Sequence, residues 1–154
     1  MTVPIRVGVI SDTHGLLRPA ALAFLKGSEL IIHCGDICQP ALIEELSHVA
    51  PVRAVRGNND QGSWADKLPE SETLRVGEIR IYVIHDVSQI DIDPVASGVA
   101  IVLSGHSHKP SITHRGGIVY LNPGSAGPRR FKLPICLAEL LIDGTAVTPR
   151  IVAI

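Results

Sequence analysis

Five short apolar stretches of this chain each run into a loop carrying a carboxylate, an amide or an imidazole. The residues are Asp12 with His14, Asp36, Asn58, His85, and His106 with His108. Asp-x-His and His-x-His each set two donors two residues apart, able to turn toward one point. Imidazole, carboxylate and amide oxygen form a borderline donor set, suited to Mn, Fe, Zn or Ni over Ca or Cu(I). A polar loop explains any one of these endings alone. Five recurrences at strand ends point to metal chemistry, because the carboxyl ends of parallel strands converge in space without further help.

The elements that must position these residues alternate at first. Residues 4–10, 30–34 and 51–55 are short, apolar and largely β-branched, and read as buried strands. Residues 19–26 and 40–48 read as helices, each opening on a proline. This βαβα order predicts a largely parallel sheet. The rhythm then changes to a hairpin of 73–76 with 79–84, a short helix at 91–97 and a strand at 99–103. Two further hairpins pair 111–114 with 117–121, across Arg115-Gly116, and 135–142 with 145–151, across Asp143-Gly144. No repeat, low-complexity tract or linker interrupts the chain, so a single domain over residues 1–154 is expected.

Composition removes several function classes. A formal net charge of -1, from 14 basic and 15 acidic residues, leaves no basic footprint for duplex nucleic acid. An aromatic content of 3% argues against stacking platforms for single strands. No stretch reaches the ~18 apolar residues of a membrane helix, the start lacks a signal-peptide pattern, and three cysteines suit a reducing compartment. A cytoplasmic protein with no membrane partner is therefore expected. Cys34 and Cys38 read as a buried thiol and a loop thiol, with metal or redox work as the alternative. His33, inside a strand, reads as a core or interface histidine, and His48 and His114 as surface. Arg56 and Arg129-Arg130 are either exposed charges or cations that approach a substrate phosphate.

Taken together, Asp12-x-His14, Gly35-Asp36, Gly57-Asn58-Asn59-Asp60, His85 and Gly105-His106-x-His108 resemble the signature of the calcineurin-like metallophosphoesterases. Their order and spacing in so short a chain resemble the small YfcE-type phosphodiesterases of bacteria and archaea, and Asn122-Pro123-Gly124-Ser125 resembles that group's downstream motif. The resemblance implies an α/β fold at the α+β boundary, a sandwich of two mixed β-sheets flanked by helices in αββα layers. It implies two divalent metal ions, Mn²⁺ first, with Fe, Ni, Zn or Mg as alternatives. One would be held by Asp12, His14, Asp36 and His108, the other by Asp36, Asn58, His85 and His106, with Asp36 bridging. Asp36, Asn58 and His106 would carry the catalysis. The implied activity is dinuclear phosphodiester hydrolysis of a small substrate, a metal-bridging hydroxide attacking phosphorus while the cations neutralise charge. Self-association is left open.

Two departures bear on the chemistry. The protein phosphatases of the superfamily have a His after the metal-binding Asn; here it is Asn59, which has no titrating proton to give a leaving group. Asp86 stands where many members have Gly, and either holds an imidazole, repels anionic substrate or faces solvent. The alternative functions are a protein-binding scaffold on the same fold and a phosphomonoesterase or protein phosphatase. A scaffold has no need of the seven ligands retained here, and Asn59 and the short chain disfavour the phosphatase.

Overall fold

The computed structural model describes residues 3–154. Its strands are β1 (Ile5–Ile10), β2 (Leu30–His33), β3 (Val52–Ala54), β4 (Ser71–Val76), β5 (Ile79–Ile84), β6 (Val99–Leu103), β7 (Ser111–Arg115), β8 (Ile118–Asn122), β9 (Cys136–Asp143) and β10 (Ala146–Ala153). Helices α1 (Pro19–Leu25) and α2 (Pro40–Ser47) connect the first three. Each has proline in its first turn, where a missing N–H costs nothing.

The strands form two mixed sheets, ordered β10-β9-β1-β2-β3 and β4-β5-β6-β8-β7. In the first, parallel β1-β2-β3 reaches the sheet edge and antiparallel β9 and β10 lie on its other side; in the second, parallel β5-β6-β8 is flanked by antiparallel β4 and β7. Ile10 pairs with His33 and His33 with Ala54, so the first parallel set ends level. Val83 pairs with Leu103 and Leu103 with Leu121, and the second set ends level too.

One core lies between the sheets, where Val7, Val9 and Ile32 meet Ile81, Val83, Ile101 and Leu103. Burying each such side chain contributes about 1.5–3 kcal/mol. A second core joins Ile10, Ile31 and Leu137 on the outer face of the first sheet to Leu25 of α1 and Leu42 and Leu46 of α2. Both helices therefore lie on this side. The outer face of the second sheet is covered by Ile90 and Ile92, over Tyr82, Val102 and Ile118. The sandwich of two mixed sheets is as expected, but among the described residues no α-helix makes a fourth layer.

Arg6 fixes α1 to the first sheet. Its Nη1 and Nη2 donate to the carbonyls of Lys26 and Phe24 at 2.7 and 2.6 Å, satisfying acceptors that the helix end leaves open. Its Nε donates to Glu139 Oε2 at 2.6 Å, and Arg150 Nε donates to Glu139 Oε1 at 2.9 Å. Burial raises the Glu139 pKa, but the bonds and charges of these two arginines outweigh it and hold the carboxyl below its ordinary value.

The helix expected at 91–97 is absent. One helical bond forms, Ser97 N–H to Asp93 O at 2.9 Å, and Gly98, with φ +70°, ends it. A 3-10 turn at Val87–Gln89 stands just before, capped by Asp86. The hairpin expected to turn at Arg115-Gly116 turns one residue later, where Gly116 and Gly117 both have positive φ, as a two-residue primed turn requires. No helix among the described residues is long and apolar enough to cross a membrane.

Candidate metal centre

Beyond the level strand ends the loops continue to bond to one another. Asp12 N–H donates to Gly35 O, His14 N–H to Asp36 O and Gly105 N–H to His85 O, at 3.0, 2.9 and 2.9 Å. Loops so tied bring the predicted residues together. A Cβ on Gly57 would collide with Asp36, and one on Gly105 with Ser11 and Asp12. These approaches explain why glycine directly precedes Asn58 and His106.

Asp12, His14, Asp36, His106 and His108 all have positive φ, between 46° and 71°. For residues with a Cβ this region costs roughly 1–2 kcal/mol each. Strain clustered on five chemistry-bearing residues is the pattern of a site held in place by its surroundings.

The histidines fall into two pairs. His14 and His108 have ring centroids 5.3 Å apart and Nε2 atoms 3.4 Å apart. His85 and His106 have centroids 5.1 Å apart, and Asn58 Oδ1 lies 3.0 Å from His85 Nε2 and 3.2 Å from His106 Nδ1. Asp12 Oδ1 stands 3.3 Å from His108 Nε2, and Asp36 Oδ2 lies between the pairs, 3.7 Å from His14 Nε2 and 3.3 Å from His85 Nε2. All seven predicted residues thus meet at one end of the sandwich. Two groupings are tight enough to hold a cation, Asp12-His14-His108 and Asp12-Asp36-His85, so Asp12 as well as Asp36 reaches toward both histidine pairs.

The donor set fits divalent cations on the structure's own terms. Asp12 is fully buried; its Oδ2 accepts from Ser11 Oγ at 2.6 Å and His106 N–H at 3.0 Å, while Oδ1 has no hydrogen-bond partner among the described residues. At His85, Nδ1 donates to the Cys34 carbonyl at 2.7 Å, so Nε2 faces the oxygens of Asn58 and Asp36. Oxygens converging on a ring nitrogen in a buried place need a proton or a divalent cation between them. Burial raises the Asp12 pKa. It acts the same way on Asp36, but bonds from His85 and from Asn59 outweigh it and hold that carboxyl well below its ordinary value.

Several neighbours differ from their sequence reading. Asp60, named above only as part of the Gly57-Asn58-Asn59-Asp60 motif, is a buried clamp. Its carboxylate accepts four backbone N–H groups, those of Asp36, Ile37, Cys38 and Gly57, at 2.7–2.9 Å. Asn59 turns back to Asp36, its N–H on Oδ1 at 2.9 Å and its Nδ2 on Oδ2 at 3.0 Å. Asp86 faces His106, its Oδ2 3.8 Å from Nε2, so of its open roles the one toward an imidazole is present. Sequence reasoning missed Asp60, whose type and place in Gly57-Asn58-Asn59-Asp60 do not distinguish a clamp from a ligand.

The remaining expectations resolve simply. His33 is a core histidine: the Gly35 N–H donates to Nδ1 at 3.1 Å, which leaves the Nε2 proton for Thr13 Oγ1 at 2.9 Å, and burial pushes its pKa down to about 3. His48 and His114 are exposed. Cys34 is buried, and Cys38 Sγ lies 3.7 Å from His14 Nδ1; neither is in a disulfide. Arg56 pairs with Glu70 at 3.0 Å, and Arg129 and Arg130 are exposed. Asn122 and Ser125 brace the centre from below, Nδ2 donating to Gly105 O and Ser125 Oγ to Asp12 O, both at 2.9 Å.

Comparison with known proteins bears on the family and the fold. The chain is 32% identical over 158 residues to a probable metallophosphoesterase of Methanothermobacter thermautotrophicus, covering 95% of this chain and 91% of that protein. It is 26% identical over 137 residues to a phosphodiesterase of Methanocaldococcus jannaschii, covering 77% of this chain and 82% of that one. Among solved structures it resembles Vacuolar Protein Sorting 29 from Cryptosporidium parvum, with TM-score 0.84 and 19% identity over 99% of this chain and 93% of that one. An archaeal phosphodiesterase has the same fold, with TM-score 0.80 and 19% identity over 96% of this chain and 99% of that one. The family model described as the calcineurin-like phosphoesterase superfamily domain matches residues 5–144. With that match over most of its length, the chain belongs to the calcineurin-like phosphoesterase superfamily.

Proposed function

We propose that this chain is a dinuclear metal-dependent phosphodiesterase acting on small phosphodiesters, folded as a single domain over residues 1–154. The observation that carries the reading is the place of Asp36 Oδ2, 3.7 Å from His14 Nε2 and 3.3 Å from His85 Nε2. One carboxylate oxygen between two histidine pairs suits a bridging ligand. Asp12, His14 and His108 would complete one site, and Asn58, His85 and His106 the other. Divalent cations there, Mn²⁺ first, would supply an acidified water and neutralise charge on the phosphate oxygens.

The chain's own groups prepare that chemistry. The Cys34 carbonyl holds the His85 proton on Nδ1, so that ring turns Nε2 inward, and His106 turns Nδ1 toward Asn58 Oδ1 at 3.2 Å. Asn59 holds Asp36 with two bonds and offers the leaving oxygen no titrating proton. Departure then depends on the leaving group's own stability, which favours diesters of acidic alcohols.

A protein-binding scaffold is the second reading, supported by the fold shared with Vacuolar Protein Sorting 29. The convergence of all seven donors favours the hydrolase. The deciding experiment assays the Mn²⁺-loaded chain against matched aryl mono- and diesters. Faster diester turnover, lost in Asp36→Asn, supports the proposal; no turnover of any ester with metal bound would move the assignment to the scaffold.

A further inference from the structure

The chain has five aromatic residues of the Phe, Tyr and Trp type, and four are packed. Tyr82 is buried, Trp64 packs beneath the helices, Phe24 lies under Arg6, and Tyr120 lies under Arg115. Phe131 is 89% exposed, belongs to no core, and sits at φ +54°. A left-handed backbone that presents a bare ring to solvent has no packing explanation.

Its surroundings supply one. Phe131 lines an open groove of about 940 Å³ together with Lys109, Arg130 and Lys132, and the groove ends at His106 of the metal centre. None of these three cations is within 4 Å of a carboxylate among the described residues, whereas Arg6, Arg53, Arg56 and Arg150 are all paired. His106 also lines a second cleft, of about 550 Å³, whose charged groups include Asp86, Asp91 and the paired Arg56 and Glu70. His106 thus borders both a cationic, aromatic groove and a largely acidic cleft.

Resting on the phosphodiesterase reading, we propose that the groove of Phe131, Lys109, Arg130 and Lys132 binds the retained arm of the substrate, and that this arm is nucleoside-like. A planar base stacks on Phe131, and the cations hold phosphate charge. The leaving arm lies toward Asp86 and Asp91, whose carboxylates disfavour further negative charge, so that arm is neutral. In the step, a water oxygen bonds to phosphorus, and the bond from phosphorus to the leaving arm's oxygen breaks with its electron pair. One water proton goes to solvent and that oxygen takes one from solvent, leaving a nucleoside monophosphate in the groove.

The test uses the Mn²⁺-loaded full chain and two readouts. Calorimetry compares adenosine 5′-monophosphate with ribose 5-phosphate, which lacks the ring. Kinetics compare the p-nitrophenyl ester of thymidine 5′-monophosphate with methyl p-nitrophenyl phosphate, which shares its leaving group. Adenosine monophosphate should bind about tenfold tighter than ribose phosphate, and Phe131→Ala should remove that advantage alone. Lys132→Gln should weaken both ligands alike, and Phe131→Ala should cut kcat/KM about tenfold only for the nucleotide ester. Equal binding of the two ligands by the wild type, or an equal loss of both in Phe131→Ala, overturns the proposal. Turnover of both esters without this selectivity defeats the groove proposal and leaves the phosphodiesterase standing. Selective binding without turnover of either ester defeats the phosphodiesterase and leaves the nucleotide groove. A dimer that dissociates in Phe131→Ala with ligand binding unchanged would make the loop a contact between copies, and also overturns it.

Discussion

The carboxylate of Asp60 accepts the backbone N–H of Asp36 at 2.9 Å, across 24 residues of sequence. Three more N–H groups converge on the same carboxylate, from Ile37, Cys38 and Gly57. The loop bearing Asp36 and the loop bearing Asn58 are therefore one rigid piece, and the clamp holds Asp36 in its left-handed conformation.

Asp60→Asn should expose the strength of that clamp. An amide nitrogen in place of one oxygen would face N–H donors, and the charge that strengthens the remaining bonds would be gone. The expected loss is about 3 kcal/mol, read as a fall in melting temperature of roughly 6–12 °C. A variant as stable as the wild type would show that the loops do not need the clamp.

Asp36 itself predicts a metal stoichiometry. If its Oδ2 serves both sites, Asp36→Asn should deplete both cations, while His14→Ala should deplete mainly the one beside His108. Metal analysis of each purified variant decides this. Equal losses of a single ion in both variants would remove the bridging role.

The crowding at the centre predicts a thermal response. Asp12 Oδ1 lies 3.9 Å from His85 Nε2 and 3.3 Å from His108 Nε2. Adding Mn²⁺ to stripped protein should raise its melting temperature, because a ligand that binds only the native state stabilises it by about 4 kcal/mol at a thousand times its Kd. Asp12→Asn should blunt the rise. An unchanged melting temperature at saturating metal would argue against a site.

Far from the centre, Glu139 predicts an acid limb in the stability curve. Its carboxyl lies below the ordinary value in the folded chain, so the unfolded chain takes up its proton first. The stability it contributes is fully present above the unfolded pKa of about 4.3, and is lost as pH falls through the lowered folded pKa. Glu139→Gln should be less stable than wild type at pH 7, and the difference should shrink below about pH 4. Denaturant melts at several pH values measure it; a constant difference would mean that the Arg6 and Arg150 bonds act without the charge.

Much of this was legible in the sequence, for physical reasons. Buried strands ending in Asp12, Asp36, Asn58, His85 and His106 keep their polar groups at the edge of the core, so apolar run and ligand appear side by side in the chain. What the sequence hid was the second partner of each group. Asp60 resembles a ligand until its four N–H donors are seen, and Asn59 resembles an open position until its amide is found on Asp36. Arg6 reads as an ordinary strand residue, since the helix carbonyls and Glu139 it joins are distant in the chain. The helix expected at 91–97 failed because Gly98 ends it after one turn and its Ile92, with Ile90 just before the segment, is used to cover the second sheet.

Asn59 carries the prediction closest to the chemistry. Its side chain is committed to Asp36 Oδ2 at 3.0 Å, and an amide has no proton to give at neutral pH. Attack on phosphorus does not require one, but departure of a poor leaving group does, and general acid help is typically worth ~10²–10⁴-fold. Asp60 does not repel substrate, because four N–H groups satisfy it, so the carboxylate that faces an incoming anion beside His106 is Asp86. A diester, with one charge fewer than a monoester, meets less of that repulsion. Aryl phosphodiesters should therefore be hydrolysed faster than the matching monoesters, with a steep dependence on leaving-group pKa. Asn59→His should flatten the dependence by offering a proton, while weakening Asp36 through the lost amide bond, so that rates fall for good leaving groups and rise relative to them for poor ones. Plots of log rate against leaving-group pKa under saturating Mn²⁺, for wild type and variant, make the comparison. Parallel plots would show that Asn59 does not limit departure, and a wild-type preference for monoesters would assign the chain to the phosphomonoesterases.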